Sequence, residues 1–235
     1  EDIIIKNNYF YNYINIKGHT HCSVLTVYRT RYSKFIQNTV RNCSTGVLLK
    51  DTAFNFTVAR NKFINIPSLG VNVGDYNSNE EDWPNNRVYQ NIFINNGTGA
   101  YFVNNSEYDG RINWFKNSKI YNNIFYKGNN SIENSGNVED TQIWNNIAHS
   151  VVEQAGKLSN DETELAYCDY NAYYNWDSDN SGDSFSNTQD TFSAWQNDTP
   201  WGDHSFQSDP MLVDPGSTSS VAYKLQSDSP PRNAG

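Results

Sequence analysis

Positive charge is in short supply in this chain: 17 Lys and Arg face 26 Asp and Glu in 235 residues, giving a formal net charge of −9 and a pI near 4.8. Such a surface repels a phosphate backbone and has no basic stripe to displace its counterions, so nucleic acid is excluded as an expected partner. The same charge opposes docking on anionic lipid, and no run of about 18 apolar residues reads as a membrane span. Cysteine is scarcer still, limited to Cys22, Cys43 and Cys168. None has the C-x-x-C spacing that a zinc or redox site requires. The odd number leaves at least one thiol unpaired. Cys22 and Cys43 would lie on neighbouring repeats, where a disulfide and ordinary buried thiols are both open. No leader segment is expected either, since Asp2 to Asn8 already read as strand in mid-pattern. The expectation is a mature or trimmed chain lacking upstream repeats or an N-terminal cap. The hydrophobic fraction of 37% is enough for one elongated domain with a continuous core.

What the chain has in abundance is asparagine, and its placement is periodic. The segments Asn7-Asn8-Tyr9-Phe10, Gln37-Asn38-Thr39-Val40, Arg60-Asn61-Lys62-Phe63, Gln90-Asn91-Ile92-Phe93, Asn122-Asn123-Ile124-Phe125, Asn145-Asn146-Ile147-Ala148 and Tyr170-Asn171-Ala172-Tyr173 superimpose. Their second residues are separated by 30, 23, 30, 32, 23 and 25 positions, the length of a solenoid coil. A β-rich run such as Arg87-Val88-Tyr89 or Lys119-Ile120-Tyr121 precedes each motif, and an alternating run such as Gly70-Val71-Asn72-Val73 follows it. Each coil therefore supplies two or three short strands. An asparagine at a corner tolerates the left-handed conformation, and its amide both donates and accepts, so stacked copies would form a ladder. A β-sandwich would also show many short strands, but with turn signals every 8–12 residues and no constant motif at each third strand. The expected fold is all-β, a right-handed parallel β-helix of about seven coils over residues 1–175. Residues 176–235 are expected to form an irregular capping segment of the same domain, a loop, a short helix and closing strands packed on the solenoid. It holds a short helix signalled by Phe192 and Trp195 and packs over the solenoid end.

Several C-terminal features together resemble the pectate-lyase-like superfamily of secreted parallel β-helix proteins. They are Asp169-Tyr170-Asn171 with Tyr173-Tyr174, then Ala194-Trp195-Gln196, Asp209-Pro210 through Asp214-Pro215, and the closing Leu225-Gln226 to Gly235. The resemblance covers residues 165–235, and the asparagine ladder extends it over the chain. It implies an extracellular, polysaccharide-directed protein without specifying one chemistry, because lyases, glycoside hydrolases, epimerases and non-catalytic binders share the scaffold.

On a solenoid, residues at equivalent coil positions form columns, and function is expected as a column. Alignment on Gly46, Gly70 and Gly99 brings Asp51, Asp75 and Asn104 into one outward column. Asp51 and Asp75 are the candidate catalytic pair. The pair has three open uses: acid with nucleophile or base in a glycosidase, oxygen ligands for Ca2+ together with Asn104, or solvated charges at a turn. The long connections from Gly74 to Asn86 and from Asn104 to Asn117 carry aromatics and charges of the kind that bind sugars. Tyr76, Trp83, Tyr108, Asp109, Arg111 and Trp114 are the candidate substrate-binding residues. His19 and His21 with Arg29, Arg31 and Lys34 would offer a cationic subsite for an acidic sugar, as a polysaccharide lyase would need. The Asp177–Asp183 stretch lacks the EF-hand register and reads as an acidic loop. No regular column of Thr marks an ice-binding face. The expected function is that of an extracellular carbohydrate-active protein, a glycoside hydrolase ahead of a lyase, with a non-catalytic glycan binder as the alternative and a polysaccharide or oligosaccharide as the partner.

Overall fold

A computed structural model describes residues 2–13, 23–28, 30–50, 53–75, 85–104, 115–135, 138–152, 165–175, 191–219 and 221–233. The described strands stack into three large parallel sheets, with one further parallel pair, Phe115–Lys116 and Val138–Glu139. Each ladder asparagine lies between two short strands, as in Thr57–Ala59 then Lys62–Ile64, or Lys119–Tyr121 then Ile124–Tyr126, and the preceding strand lengthens to four and five residues in the last two coils. The strand before the motif joins a seven-stranded first sheet running from Ile4–Lys6 to Leu165–Asp169, and the strand after it joins a seven-stranded second sheet from Tyr9–Tyr11 to Ala172–Tyr174. The third sheet stacks Ser23–Tyr28, Thr45–Lys50, Leu69–Asp75, Thr98–Asn104 and Asn130–Ser135 in coil order. Every strand pairs in parallel with its counterpart one coil away. The molecule is thus a parallel β-helix.

Backbone corners set this shape. Residues with positive φ stand at all three turns of a coil, as Asn85, Gln90 and Asn95 do at 54°, 54° and 52°. At the first corner the left-handed residue is the one before the ladder asparagine: Asn7, Gln37, Arg60, Gln90, Asn122, Asn145 or Tyr170. The expectation that the ladder asparagine itself takes this conformation is corrected. Its position is chosen for the amide, which points inward and bonds coil to coil. Asn91 Nδ2 donates to Asn123 Oδ1 and to Val58 O at 3.0 and 2.9 Å, while Asn91 Oδ1 accepts from the backbone N–H and Nδ2 of Asn61, both at 3.0 Å. The same pattern runs from Asn8 to Asn171, where the Asn171 N–H donates to Ser205 Oγ at 3.0 Å and ends the ladder. At the second corner Asn12, Asn42, Asn65 and Asn95 form a further, more exposed ladder through their amides.

Inside, the middle residues of the two short strands fill the core, with Val58, Val88 and Ile120 from the first sheet meeting Phe63, Phe93 and Phe125 from the second. The rings of Phe63, Phe93 and Phe125 stack at 5.0 and 4.8 Å with 8° between planes. Room for this stack comes from a glycine column on the third sheet: a Cβ on Gly70 would lie 2.7 Å from the Phe93 ring and from Gly99 O. Cys43 and Cys168 are buried free thiols, so Cys43 is not bridged, and Cys22 lies outside the described residues. Burial pushes the Cys43 thiol upward in pKa, which keeps it protonated and inert.

The helix spans Phe192–Asp198, with Thr191 as N-cap accepting from the Ala194 N–H. Phe192 and Trp195 pack against Tyr173 and close the core at the last coil. The chain then turns back along the outside. Leu212, Ala222 and Tyr223 cover Ile64, Ile94, Tyr126 and Ile147 on the outer face of the second sheet, forming a second apolar cluster. Lys62 Nζ donates to Thr218 O at 2.8 Å, so the tail reaches from the seventh coil to the third.

Candidate functional site

The inward alternation of Val47/Leu49, Val71/Val73 and Ala100/Phe102 defines an outward set on the third sheet, in which Leu48 and Asn72 are buried and Thr26, Tyr101 and Glu133 half-buried. The strand register aligns Thr26, Leu48, Asn72, Tyr101 and Glu133 into one column across five coils. At the edge of the same sheet Asp75 stands opposite Asn104. The alignment of these two positions read from the glycines is therefore present in the backbone register. Asp51, the other member of the candidate pair, lies outside the described residues, as do Tyr76, Trp83, Tyr108, Asp109, Arg111 and Trp114. Among the described residues no group of three or more His, Cys, Asp or Glu is placed to hold a metal ion. Asp75 and Asn104 alone would supply far fewer oxygens than the 6–8 that calcium takes.

Sequence reading did not single out Asn72, Tyr101 or Glu133. Asn72 is 3% exposed, and its Oδ1 is a buried acceptor with no hydrogen-bond partner. A buried amide oxygen left unpaired costs about 1–3 kcal/mol. Two coils away, Glu133 Oε2 accepts from Thr98 Oγ1 at 3.0 Å and from Asn130 Nδ2 at 3.2 Å, which holds the carboxylate in a fixed orientation on the half-exposed face. Tyr101 stands between them in register. The signal was available, since the alternation in Gly99-Ala100-Tyr101-Phe102 places Tyr101 outward.

The first-coil cations are not gathered into a subsite among the described residues. The Arg31 guanidinium lies over the Phe54 ring at 4.5 Å, and Lys34 is an exposed position of the first sheet. His19, His21 and Arg29 lie outside the described residues, as does the Asp177–Asp183 stretch.

A second polar constellation sits where the cap meets the last coil. The buried Asp169 carboxylate accepts from the N–H groups of Tyr170 and His204, both at 2.8 Å, and pairs through Oδ2 with His204 Nδ1 at 2.7 Å. The exposed His204 ring stacks on Tyr170 at 4.7 Å with 5° between planes. The Asp169 hydrogen bond and charge raise the His204 pKa above the usual 6.5. The raised folded-state value means that this pair stabilises the cap fully below pH 6.5, and that the contribution fades as pH rises through the folded value. The stability difference between wild type and His204→Gln is expected to be largest on the acid side of pH 6.5 and to shrink in alkali, read from thermal melts across pH. His149 carries the opposite sign: burial between Tyr126 and Tyr174 lowers its pKa, so its contribution is lost as pH falls through that depressed value.

Comparison with known proteins returns no matching family model, no matching curated protein and no matching solved structure.

Proposed function

We propose that this chain is an extracellular, polysaccharide-directed β-helix protein of the pectate-lyase-like kind, which binds a glycan along the outer face of the third sheet and acts on it as a glycoside hydrolase. The observation that carries this reading is the column itself. A buried unpartnered amide oxygen at Asn72, the Tyr101 ring and the oriented Glu133 carboxylate lie in register across neighbouring coils beside the Asp75–Asn104 pair. Amide, aromatic and carboxylate are the groups that engage hydroxyls and the apolar faces of pyranose rings. Coils recur every ~4.8 Å, so successive residues of an extended glycan would meet successive coils.

In this reading Asp51 and Asp75 are the acid and the nucleophile or base. Tyr76, Trp83, Tyr108, Asp109, Arg111 and Trp114, which follow Asp75 and Asn104 in the sequence, are the residues that bind the glycan in the same reading. Calcium bound by Asp51, Asp75 and Asn104 is the competing use of the same acids. Binding without chemistry is favoured by one observation: the most buried member of the column, Asn72, is an amide and not an acid.

The test is a panel of plant and microbial polysaccharides, with reducing-end release and the ultraviolet absorbance of unsaturated products followed in parallel. Reducing ends without unsaturation are expected. Asp75→Asn is expected to lower kcat by about 10²–10⁴-fold, the contribution of a general acid or base, with binding retained. Binding with no product from any glycan would leave the non-catalytic role, and unsaturated product would make the protein a lyase. Activity abolished by a chelator and restored by Ca2+ would assign the acids to the ion.

A further inference from the structure

Away from the third sheet, the first corner of the last coils borders a cavity of about 220 Å³ between the solenoid and the returning tail. Asn122, Asn145 and Tyr170 line it from three successive coils, with Ile147, Leu225 and Pro231 supplying apolar wall. Asn122 and Asn145 hold the left-handed corner conformation at φ 56° and 53°. Their side-chain amides have no hydrogen-bond partner among the described residues, and this sets them apart from their equivalents one and two coils earlier. There Arg60 Nε donates to Gln90 Oε1 at 3.0 Å, so that pair is closed on itself. Asn42, Asn65 and Asn95 at the second corner likewise consume their amides on each other. Tyr170 has one face covered by His204, which leaves the opposite face for the cavity. The residues just before the two asparagines, Tyr121 and Trp144, stack at 4.5 Å and continue the aromatic surface along the first sheet.

We infer that this cavity is a binding subsite for one neutral hexopyranose residue, separate from the third-sheet face. Two open amides one coil apart, at ~4.8 Å, can each donate to and accept from ring hydroxyls, as neutral sugar recognition requires. The Tyr170 face and the Leu225 and Pro231 wall meet the C–H side of the ring. Among the described residues no charged side chain lines the cavity to compensate a carboxylate, and the chain's net charge of −9 disfavours a uronic acid further. At about 220 Å³ the volume falls below the roughly 300–1,000 Å³ of drug-sized sites, which fits a single residue or chain end and not a threaded polymer. The ligand class rests on the glycan-directed reading above, whereas the site stands on its own residues.

The experiment is a titration of the ¹⁵N-labelled full chain with glucose, galactose, mannose and the matching uronic acids, following the side-chain amide resonances of Asn122 and Asn145. At least one neutral hexose is expected to shift both resonances, with Kd on the order of 1 mM for a single-residue site. The Asn122→Gly/Asn145→Gly double variant keeps the left-handed corners and is expected to bind at least about tenfold more weakly, because two neutral hydrogen bonds are lost. Tyr170→Ala is expected to weaken binding too, while Asp75→Asn leaves it unchanged. Polysaccharide turnover failing while the amide shifts persist would overturn the third-sheet reading and not this one. Uronic acids shifting the amides as strongly as neutral hexoses, a double variant that binds as well as wild type, or no amide shift with any neutral hexose would each overturn this site.

Discussion

Replacing Asn91 with alanine is expected to lower the unfolding free energy by about 4 kcal/mol, read from urea denaturation, because it strands several buried groups at about 1–3 kcal/mol each. Asn91 is fully buried in the middle of the ladder. Its removal leaves the Asn61 N–H without an acceptor and takes from Val58 O and Asn123 Oδ1 the donor that this amide supplies. The same substitution at Asn8 serves as the control. Asn8 is exposed, and its Nδ2 bonds a carbonyl two residues away at 3.0 Å, so about 0.5–1.5 kcal/mol is expected there. Equal losses at the two positions would mean that the ladder is not a chain of interdependent bonds.

Phe93→Ala is expected to cost about 3–5 kcal/mol, the range for deleting a buried aromatic ring. The ring is 1% exposed and lies between Phe63 and Phe125 at 5.0 and 4.8 Å. Collapse of the surroundings would need the coils to approach each other, and their spacing is fixed by continuous backbone pairing of Ile92–Ile94 to both neighbouring strands. The vacated space therefore persists as a cavity. Phe93→Leu is expected to recover about half of the loss, because most of the volume is retained. A loss below about 1.5 kcal/mol for Phe93→Ala would show that neighbouring side chains close the gap.

The coil register was legible because one residue type recurs with one function: the amide accepts from the N–H of one coil through Oδ1 and donates to a carbonyl of another through Nδ2, so the ladder positions stay asparagine. The left-handed corner residue was assigned one position late for a related reason. At that site the chain admits Arg60, Gln37, Gln90 and Tyr170, because the surrounding backbone bonds dictate the conformation more strongly than the residue's own preference. The outer column Asn72–Tyr101–Glu133 was implicit in the alternation of the third-sheet strands. It gives a faint signal because it holds a single acid, and Glu133 sits in Asn130–Ser135, a polar strand with little of the usual β-branched signature. The returning tail was hidden from the tail's own sequence, where Leu212, Ala222 and Tyr223 follow no period. Its trace lay elsewhere, in Ile92-Phe93-Ile94, whose continuous apolar run demands cover on both faces of the sheet.

A stack of coils that touch only their neighbours has no intrinsic length, since one more unit adds the same contacts at any point. The tail removes that freedom. It is anchored at the seventh coil through Phe206, which bridges Ala172, and at the third through the Lys62 bond to Thr218. Inserting or deleting a coil between these anchors would shift them by ~4.8 Å and tear one of them loose. The returning segment thus acts as a gauge for the number of turns, and it makes the last five coils a counted assembly in a fold that otherwise does not count.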